Sequence, residues 1–353
     1  MRALTIVPQK EGSLAVTDVP EPRPADGELL VDGIAVGVCG TDREIAAGEY
    51  GAPPPGRDRL VLGHESLGRV RSAPEGSGFT AGDLVVGVVR RPDPEPCGAC
   101  ARGQFDMCRN GRYTERGIKE LDGYASERWA VDPRFAVRLD PALEDVGMLL
   151  EPTTVVVKAW QQVQAVGSRA WFEPRTALVT GAGPIGLLAA MLGVQQGLEV
   201  HVLDRATDGP KPGIVADLGA TYHDDPVDEV AARIRPDVVI EATGATSVVF
   251  DAIAATGTYG VTCLTSVTSA GRRLRIDAGA VNRELVLEND AVVGSVNANV
   301  DHYRGAVQAL GRADVGWLRR LVTRRVPLEH ATEAFTAHDD DIKVAIDLRD
   351  AGA

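Results

Sequence analysis

Cys39, Thr41 and Asp42 put a thiol, a hydroxyl and a carboxylate within four positions, beside Gly37 and around Gly40, just after the alternating apolar run Leu29 to Val36. That set suits a metal-held reaction centre better than a core strand. A metal at Cys39 would next need an imidazole and a carboxylate, and Gly63-His64-Glu65 supplies both at the end of the apolar stretch Leu60-Val61-Leu62. Thiolate, imidazole and carboxylate are the ligand types of a catalytic Zn2+, which keeps one position for water or substrate. Glu151, in Leu149-Leu150-Glu151-Pro152, is a further candidate, although an acid there equally suits the first turn of a helix. Glu65 and Glu151 both stand as candidates for direct or exchangeable ligation. Asp42 reads as the acceptor for the second ring nitrogen of His64, since imidazoles on metals usually need such a partner.

A second constellation is Cys97-Gly98-Ala99-Cys100 with Cys108, in a stretch without strand periodicity. Three thiolates are one short of a closed tetrahedral site, so a nearby acid should complete it. Asp93 and Glu95 are the choices, Asp93 preferred because it leaves more slack for the chain to turn. Cys263, inside the apolar run Gly260 to Leu264, reads as a buried core thiol. Five cysteines, three of them crowded together, do not make a disulfide framework.

The third pattern is Gly181-Ala182-Gly183-Pro184-Ile185-Gly186, which follows the buried-type strand Ala177 to Thr180 and opens an apolar helix. Gly181 permits a tight turn, Gly183 a close approach of backbone to a pyrophosphate, and Gly186 close helix packing. The helix N-terminus attracts phosphate. Asp204 ends the next strand near the ~20-residue spacing at which an acid meets a ribose 2'-hydroxyl, which favours NAD over NADP. Arg205 beside it could instead meet a 2'-phosphate. Thr243 is counted with these cofactor-binding residues.

These residues need elements to hold them. At 353 residues the chain exceeds one compact core. Up to about Leu150 it shows short alternating runs (Arg2 to Val7, Leu29 to Val36, Gly68 to Ser72, Leu84 to Val89) broken by Gly and Pro, which predicts a compact antiparallel barrel or sandwich. From Pro152 the spacing turns helical, and after Thr176 strands and helices alternate, which predicts a parallel sheet with helices on both faces. The tail from His302 reads as helices plus a final strand, Val344 to Leu348, packing back on the first domain. The expected division is 1–152, 153–296 and 297–353. With 44% hydrophobic and 25% charged residues the chain reads as soluble and globular. A net charge of -13 without clustered Lys or Arg argues against nucleic acid. No apolar run suits a membrane span and no signal peptide is evident, so a cytoplasmic location is expected.

A Cys and a Gly-His-Glu in a barrel domain, a Cys-rich lobe and a later dinucleotide loop together resemble the zinc-dependent medium-chain dehydrogenases over nearly the whole chain. Within them the chain is most similar to the archaeal-type glucose 1-dehydrogenases, through Tyr113-Thr114-Glu115-Arg116-Gly117-Ile118, Gly123-Tyr124, Leu150-Glu151-Pro152 and Gly294-Ser295-Val296-Asn297. The resemblance implies an α/β chain with a GroES-like β-barrel catalytic domain and a Rossmann doubly wound parallel-sheet domain. It implies that Cys39, His64 and Glu151 hold a catalytic zinc with Glu65 close enough to exchange, that Thr41 relays the substrate's hydroxyl proton, and that Glu115 and Asn297 bind sugar hydroxyls. It also implies a structural zinc in the lobe, which shows three cysteines where the wider family commonly has four. The expected reaction is NAD(P)-linked oxidation of an aldose, glucose or galactose, at C1 to its lactone. The alternatives are a polyol or amino-alcohol dehydrogenase of sorbitol or threonine type and, from another class, a non-catalytic nucleotide-binding sensor. Such enzymes usually form homodimers or homotetramers, and Ala291 to Val296 is the expected edge for that contact.

Overall fold

The computed structural model describes residues 1–268 and 273–349 of the chain. Two compact units emerge, Met1–Glu151 joined by the chain from Ala298 onward, and Pro152–Asn297.

The first unit opens with β1 (Arg2–Ile6), β2 (Ala15–Asp18), β3 (Leu29–Val38), helix α1 (Gly40–Ala46), β4 (Leu60–Val61), β5 (Glu65–Ser72) and β6 (Leu84–Gly87). It continues with β7 (Arg90–Arg91), β8 (Thr114–Arg116), β9 (Glu120–Leu121), β10 (Arg128–Val131) and β11 (Ala136–Arg138). Their brevity follows from the Gly- and Pro-rich turns between them. β3 is the axis, pairing antiparallel with β5 over most of its length and with β10 through its first half. Strand β6 ends at Gly87, short of the expected Val89, and the chain re-enters pairing with β8 at Arg90.

Helix α2 (Leu150–Gly167) carries the change of unit. The second unit then runs β12 (Thr176–Thr180), α3 (Pro184–Gln195), β13 (Glu199–Leu203), α4 (Lys211–Asp217), β14 (Thr221–His223), α5 (Val227–Ile234), β15 (Val238–Glu241), α6 (Thr246–Ile253), β16 (Val261–Leu264), α7 (Ala278–Leu287) and β17 (Ala291–Gly294). The strands pair in parallel in the order β14-β13-β12-β15-β16-β17. The order reverses beside β12, so the crevice past the ends of β12 and β15 is where an open sheet of this kind takes a ligand.

The chain returns to the first unit with α8 (Val300–Gly311), α9 (Val315–Leu321), β18 (Val322–Pro327) and β19 (Lys343–Asp347). β19 pairs antiparallel with the second half of β3 and parallel with β18, giving the order β11-β6-β5-β3-β19-β18. β18 was not expected from the sequence. Thr323, Arg324 and Arg325 interrupt its apolar pattern, and the reason is its place at the sheet edge, where charge blocks further pairing. Leu4, Ile6, Val36, Val38, Leu60, Leu62, Val344 and Ile346 form one buried cluster against this sheet. Each fully buried Leu or Ile there contributes about 1.5–3 kcal/mol. That apolar floor fixes the strands that carry the site.

Candidate active site

The end of β3, the start of β5 and the first turn of α1 bring the opening residues together. Cys39 Sγ lies 3.0 Å from His64 Nε2. The ligand atoms of Cys39, His64 and Glu65 all fall within 4.8 Å of one another. Gly63 makes this possible at φ +87°, where an added Cβ would meet Val36 and Ala125 at 2.7 and 2.9 Å. Cys39 is the N-cap of α1, a helix the glycine-flanked sequence did not suggest, and Asp42 accepts from its backbone N–H at 3.0 Å. The other oxygen of Asp42 stands 3.3 Å from His64 Nδ1, at ion-pair distance. Asp42 therefore caps the helix and faces the ring nitrogen that points away from Cys39.

The centre is rich in buried charge. Burial pushes the Cys39 thiol upward from its usual range. Burial also opposes a charged His64, but the neighbouring Asp42 and Cys39 outweigh it and hold the imidazole well above its ordinary value. Burial pushes Glu151 up to about 7, with the charge of Glu65 adding to the effect and that of His64 opposing it. Glu151, in the first turn of α2, thus feels the cluster while standing outside its tight group of three. A thiol, an imidazole and two carboxylates gathered out of water fit a divalent cation in donor type and in sign.

Thr41 occupies the first turn of α1 and is partly buried. Glu115 lies on β8, buried, with Oε1 accepting from Arg90 Nε at 3.0 Å and Nη2 at 2.9 Å. Arg90 in turn stacks 3.6 Å from the Tyr113 ring centroid. Asn297 closes the second unit in a left-handed conformation, φ 63°, which Asn tolerates better than most residues.

The lobe between β7 and β8 gathers Cys97, Cys100 and Cys108 with their sulfurs within 4.8 Å of one another. Two short turns, Cys100–Arg102 and Phe105–Met107, fold them inward. Backbone N–H groups, that of Arg109 foremost, draw the Cys97 thiol down to about 6, whereas burial lifts Cys100 to about 11. Of the two acids considered as a fourth ligand, Asp93 is buried and its backbone N–H points at Cys100, while Glu95 is exposed. Both lie at ion-pair distance from Arg112, at 3.4 and 2.7 Å, and neither carboxylate belongs to the close group of three sulfurs. Cys263 is buried on β16.

In the second unit Gly181 turns the chain at φ +97°, and a Cβ on Gly186 would sit 1.7 Å from the Gly181 carbonyl oxygen. Gly183 caps α3, Pro184 takes its first position and Ile185 follows. Asp204 Oδ2 accepts from the Ala182 N–H at 2.7 Å and lies 3.2 Å from Lys211 Nζ. Burial would raise Asp204, but these two partners outweigh it and keep the carboxyl below its usual range. A cavity of about 680 Å³ opens here, with Gly181, Gly183, Asp204, Arg205, Lys211 and Thr243 in its wall.

Three functional groups escaped the sequence reading. Lys343, whose Nζ lies 2.6 Å from both Glu65 oxygens, sits one residue before the expected final strand. A lone Lys between Ile342 and Val344 was the available signal, because a buried ammonium needs a partner. Arg90, which orients Glu115, and Lys211, which pairs with Asp204, carried no pattern of their own.

Comparison with known proteins gives two matching families, described as "Alcohol dehydrogenase GroES-like domain" over residues 25–141 and "Glucose dehydrogenase C-terminus" over residues 144–348. A glucose 1-dehydrogenase of Methanocella arvoryzae is 39% identical, covering 99% of both chains. One from Thermoproteus tenax is also 39% identical, covering 99% of this chain and 100% of its own. Among solved structures, Haloferax mediterranei glucose dehydrogenase in complex with NADP, Zn and gluconolactone superposes with a TM-score of 0.91 at 36% identity, covering 99% of both chains.

Proposed function

Because the chain belongs to the zinc-dependent medium-chain dehydrogenases, in the branch of the glucose dehydrogenases, we propose that it oxidises an aldose, glucose or galactose, at C1 to the lactone with a nicotinamide dinucleotide. The observation that carries this reading is the convergence of the half-buried Cys39 with the buried His64 and Glu65 in a charge-rich cluster. When bound there, zinc supplies Lewis-acid polarisation of a hydroxyl, and the nicotinamide supplies a hydride acceptor. The chain's own residues do the rest. Cys39, His64 and Glu151 would hold the metal, with Glu65 close enough to exchange onto it. Asp42 keeps His64 in one orientation, and Thr41 passes on the proton of the substrate hydroxyl. Glu115, braced by Arg90, and Asn297 select sugar hydroxyls, because a polar group left unmet in a closed site costs about 1–3 kcal/mol.

For the cofactor, Gly181, Gly183 and the N-terminus of α3 present backbone to the pyrophosphate. We place NAD ahead of NADP on the strength of the Asp204 carboxylate at the cavity wall, with Arg205 and Lys211 as the cations that would moderate the preference. In the lobe, Asp93, Cys97, Cys100 and Cys108 would hold a second, structural zinc. β17 ends its sheet with Val292 exposed, and Val296 beyond it is exposed too, which supports a homodimer or homotetramer built by pairing of that edge. No helix among the described residues is long and apolar enough to cross a membrane. Five free thiols support a reducing, cytoplasmic setting.

The decisive test is turnover of glucose, galactose, sorbitol and threonine with NAD and with NADP, scored as kcat/KM together with lactone formation. Aldose turnover with lactone as product is expected. Turnover confined to sorbitol or threonine would move the chain to the polyol or amino-alcohol reading, and no turnover in a zinc-loaded protein would favour the sensor.

A further inference from the structure

Glu65 lies between two attractions. Its carboxylate is close enough to Cys39 Sγ and the His64 ring to join them on a metal, yet both its oxygens lie 2.6 Å from Lys343 Nζ. Both side chains are 2% exposed, and Lys343 also reaches the Val38 carbonyl at 3.4 Å. The sheet order explains how they meet. β3 runs between β5 and β19, with Glu65 opposite Gly37 on one side and Ala345 opposite Gly37 on the other. At Gly37 there is no side chain to block the way, and a Cβ there would stand 1.9 Å from Glu65 Oε2. The carboxylate therefore crosses β3 over a glycine and docks on the ammonium of β19.

We propose that Lys343 is a positioning residue that competes with the metal for Glu65 and so keeps one coordination position open for substrate. The inference rests on the reading of Cys39 and His64 as zinc ligands. A catalytic zinc works with three protein ligands and one open position. With Cys39, His64 and Glu151 on the metal, a Glu65 released from its counter-ion would fill the fourth. A buried carboxylate without a cation is strongly disfavoured, so removing the Lys343 charge drives Glu65 onto zinc.

The test compares the full-length zinc protein with Lys343→Met, Lys343→Arg and the double variant Lys343→Met/Glu65→Gln. The first readout is the rate of zinc release into excess chelator, and the second is the visible spectrum of the cobalt-exchanged protein with and without glucose. Lys343→Met should release zinc about ten-fold more slowly, show a cobalt spectrum that no longer responds to glucose, and lose kcat. Lys343→Arg, which keeps the charge, should behave as the parent, and the double variant should return zinc release to the parent range. Release from Lys343→Met at the parent rate or faster, with a responsive cobalt spectrum, overturns the proposal. If Lys343→Met does not fold, the crystal structure of the zinc-loaded parent decides. Glu65 resting on Lys343 supports the proposal, and a Glu65 oxygen bonded to zinc with Lys343 turned away overturns it. A parent that binds no zinc at Cys39 and His64 overturns the site reading itself. A zinc-binding parent beside an unchanged Lys343→Met overturns only the role of Lys343.

Discussion

The two thiol clusters of the first unit solve the same problem in opposite ways. Around Cys39 the charges come from α1, the start of β5, α2 and β19, and two pairs of them offset each other, His64 with Asp42 and Glu65 with Lys343. Cys97, Cys100 and Cys108 come from one short loop, and backbone N–H groups draw the Cys97 thiol toward thiolate. The first arrangement ties its charges to the whole sheet, whereas the second is a local clasp. A centre whose occupancy must respond to substrate suits the first, and a fixed brace suits the second.

The largest effect should come from Cys39→Ser. Losing the thiolate removes zinc and lowers kcat/KM on the order of 10³-fold, as expected when several kcal/mol of charge stabilisation disappear. Zinc content and turnover measured together check this, and a zinc-depleted variant with parental turnover would end the metal reading. Cys108→Ser should do the reverse. The lobe loses its metal and Tm drops by several degrees, at roughly 2–4 °C per kcal/mol for a unit of this size, while kcat/KM at 25 °C stays within about three-fold of the parent. Asp93→Asn should speed metal loss from the lobe by roughly 10–100-fold, and Glu95→Gln should leave it unchanged. Equal effects of the two would remove Asp93 as fourth ligand.

The mildest test is chemical. In chelator-treated protein at pH 7, a thiol drawn down to about 6 is mostly thiolate, while Cys39, pushed upward by burial, is mostly neutral. Since the thiolate is the reactive form, iodoacetamide should label Cys97 roughly ten-fold faster than Cys39. Peptide mass spectrometry over time reads the ratio, and it should narrow as pH rises and Cys39 ionises. Faster labelling of Cys39 would erase the electrostatic contrast between the clusters.

How far each region could be read in the sequence follows from the same contrast. The turn at Gly181 to Gly186 and the grouping of Cys97 with Cys100 are local, so spacing alone reports them. The parallel sheet was legible because its strands alternate with helices in chain order. Cys39 and His64 were legible as residue types, and their 3.0 Å approach depends on the pairing of β3 with β5. Lys343 and Arg90 were not legible. Their partners lie 278 and 25 positions away, and only strand order brings them together. β18 escaped because an edge strand carries arginines where a central strand would carry apolar residues. Helix α1 escaped because glycines next to Cys39 suggested loop, while its cap depends on Asp42 folding back.

Strand β19 also sets a timetable. Glu65 leaves the ribosome 278 residues before Lys343. At about 5–20 residues per second this is a wait of roughly 15–55 s. Throughout that interval the second half of β3 has no neighbour on its far side, and the carboxylate over Gly37 lacks its cation. The nascent first unit therefore cannot settle as the chain is made. The last strand out is the one that closes the sheet, and a polypeptide stalled before it carries an open strand edge beside an uncompensated charge. Quality control could sense both, and zinc captured before β19 docks would meet a differently charged nest from the one in the finished protein.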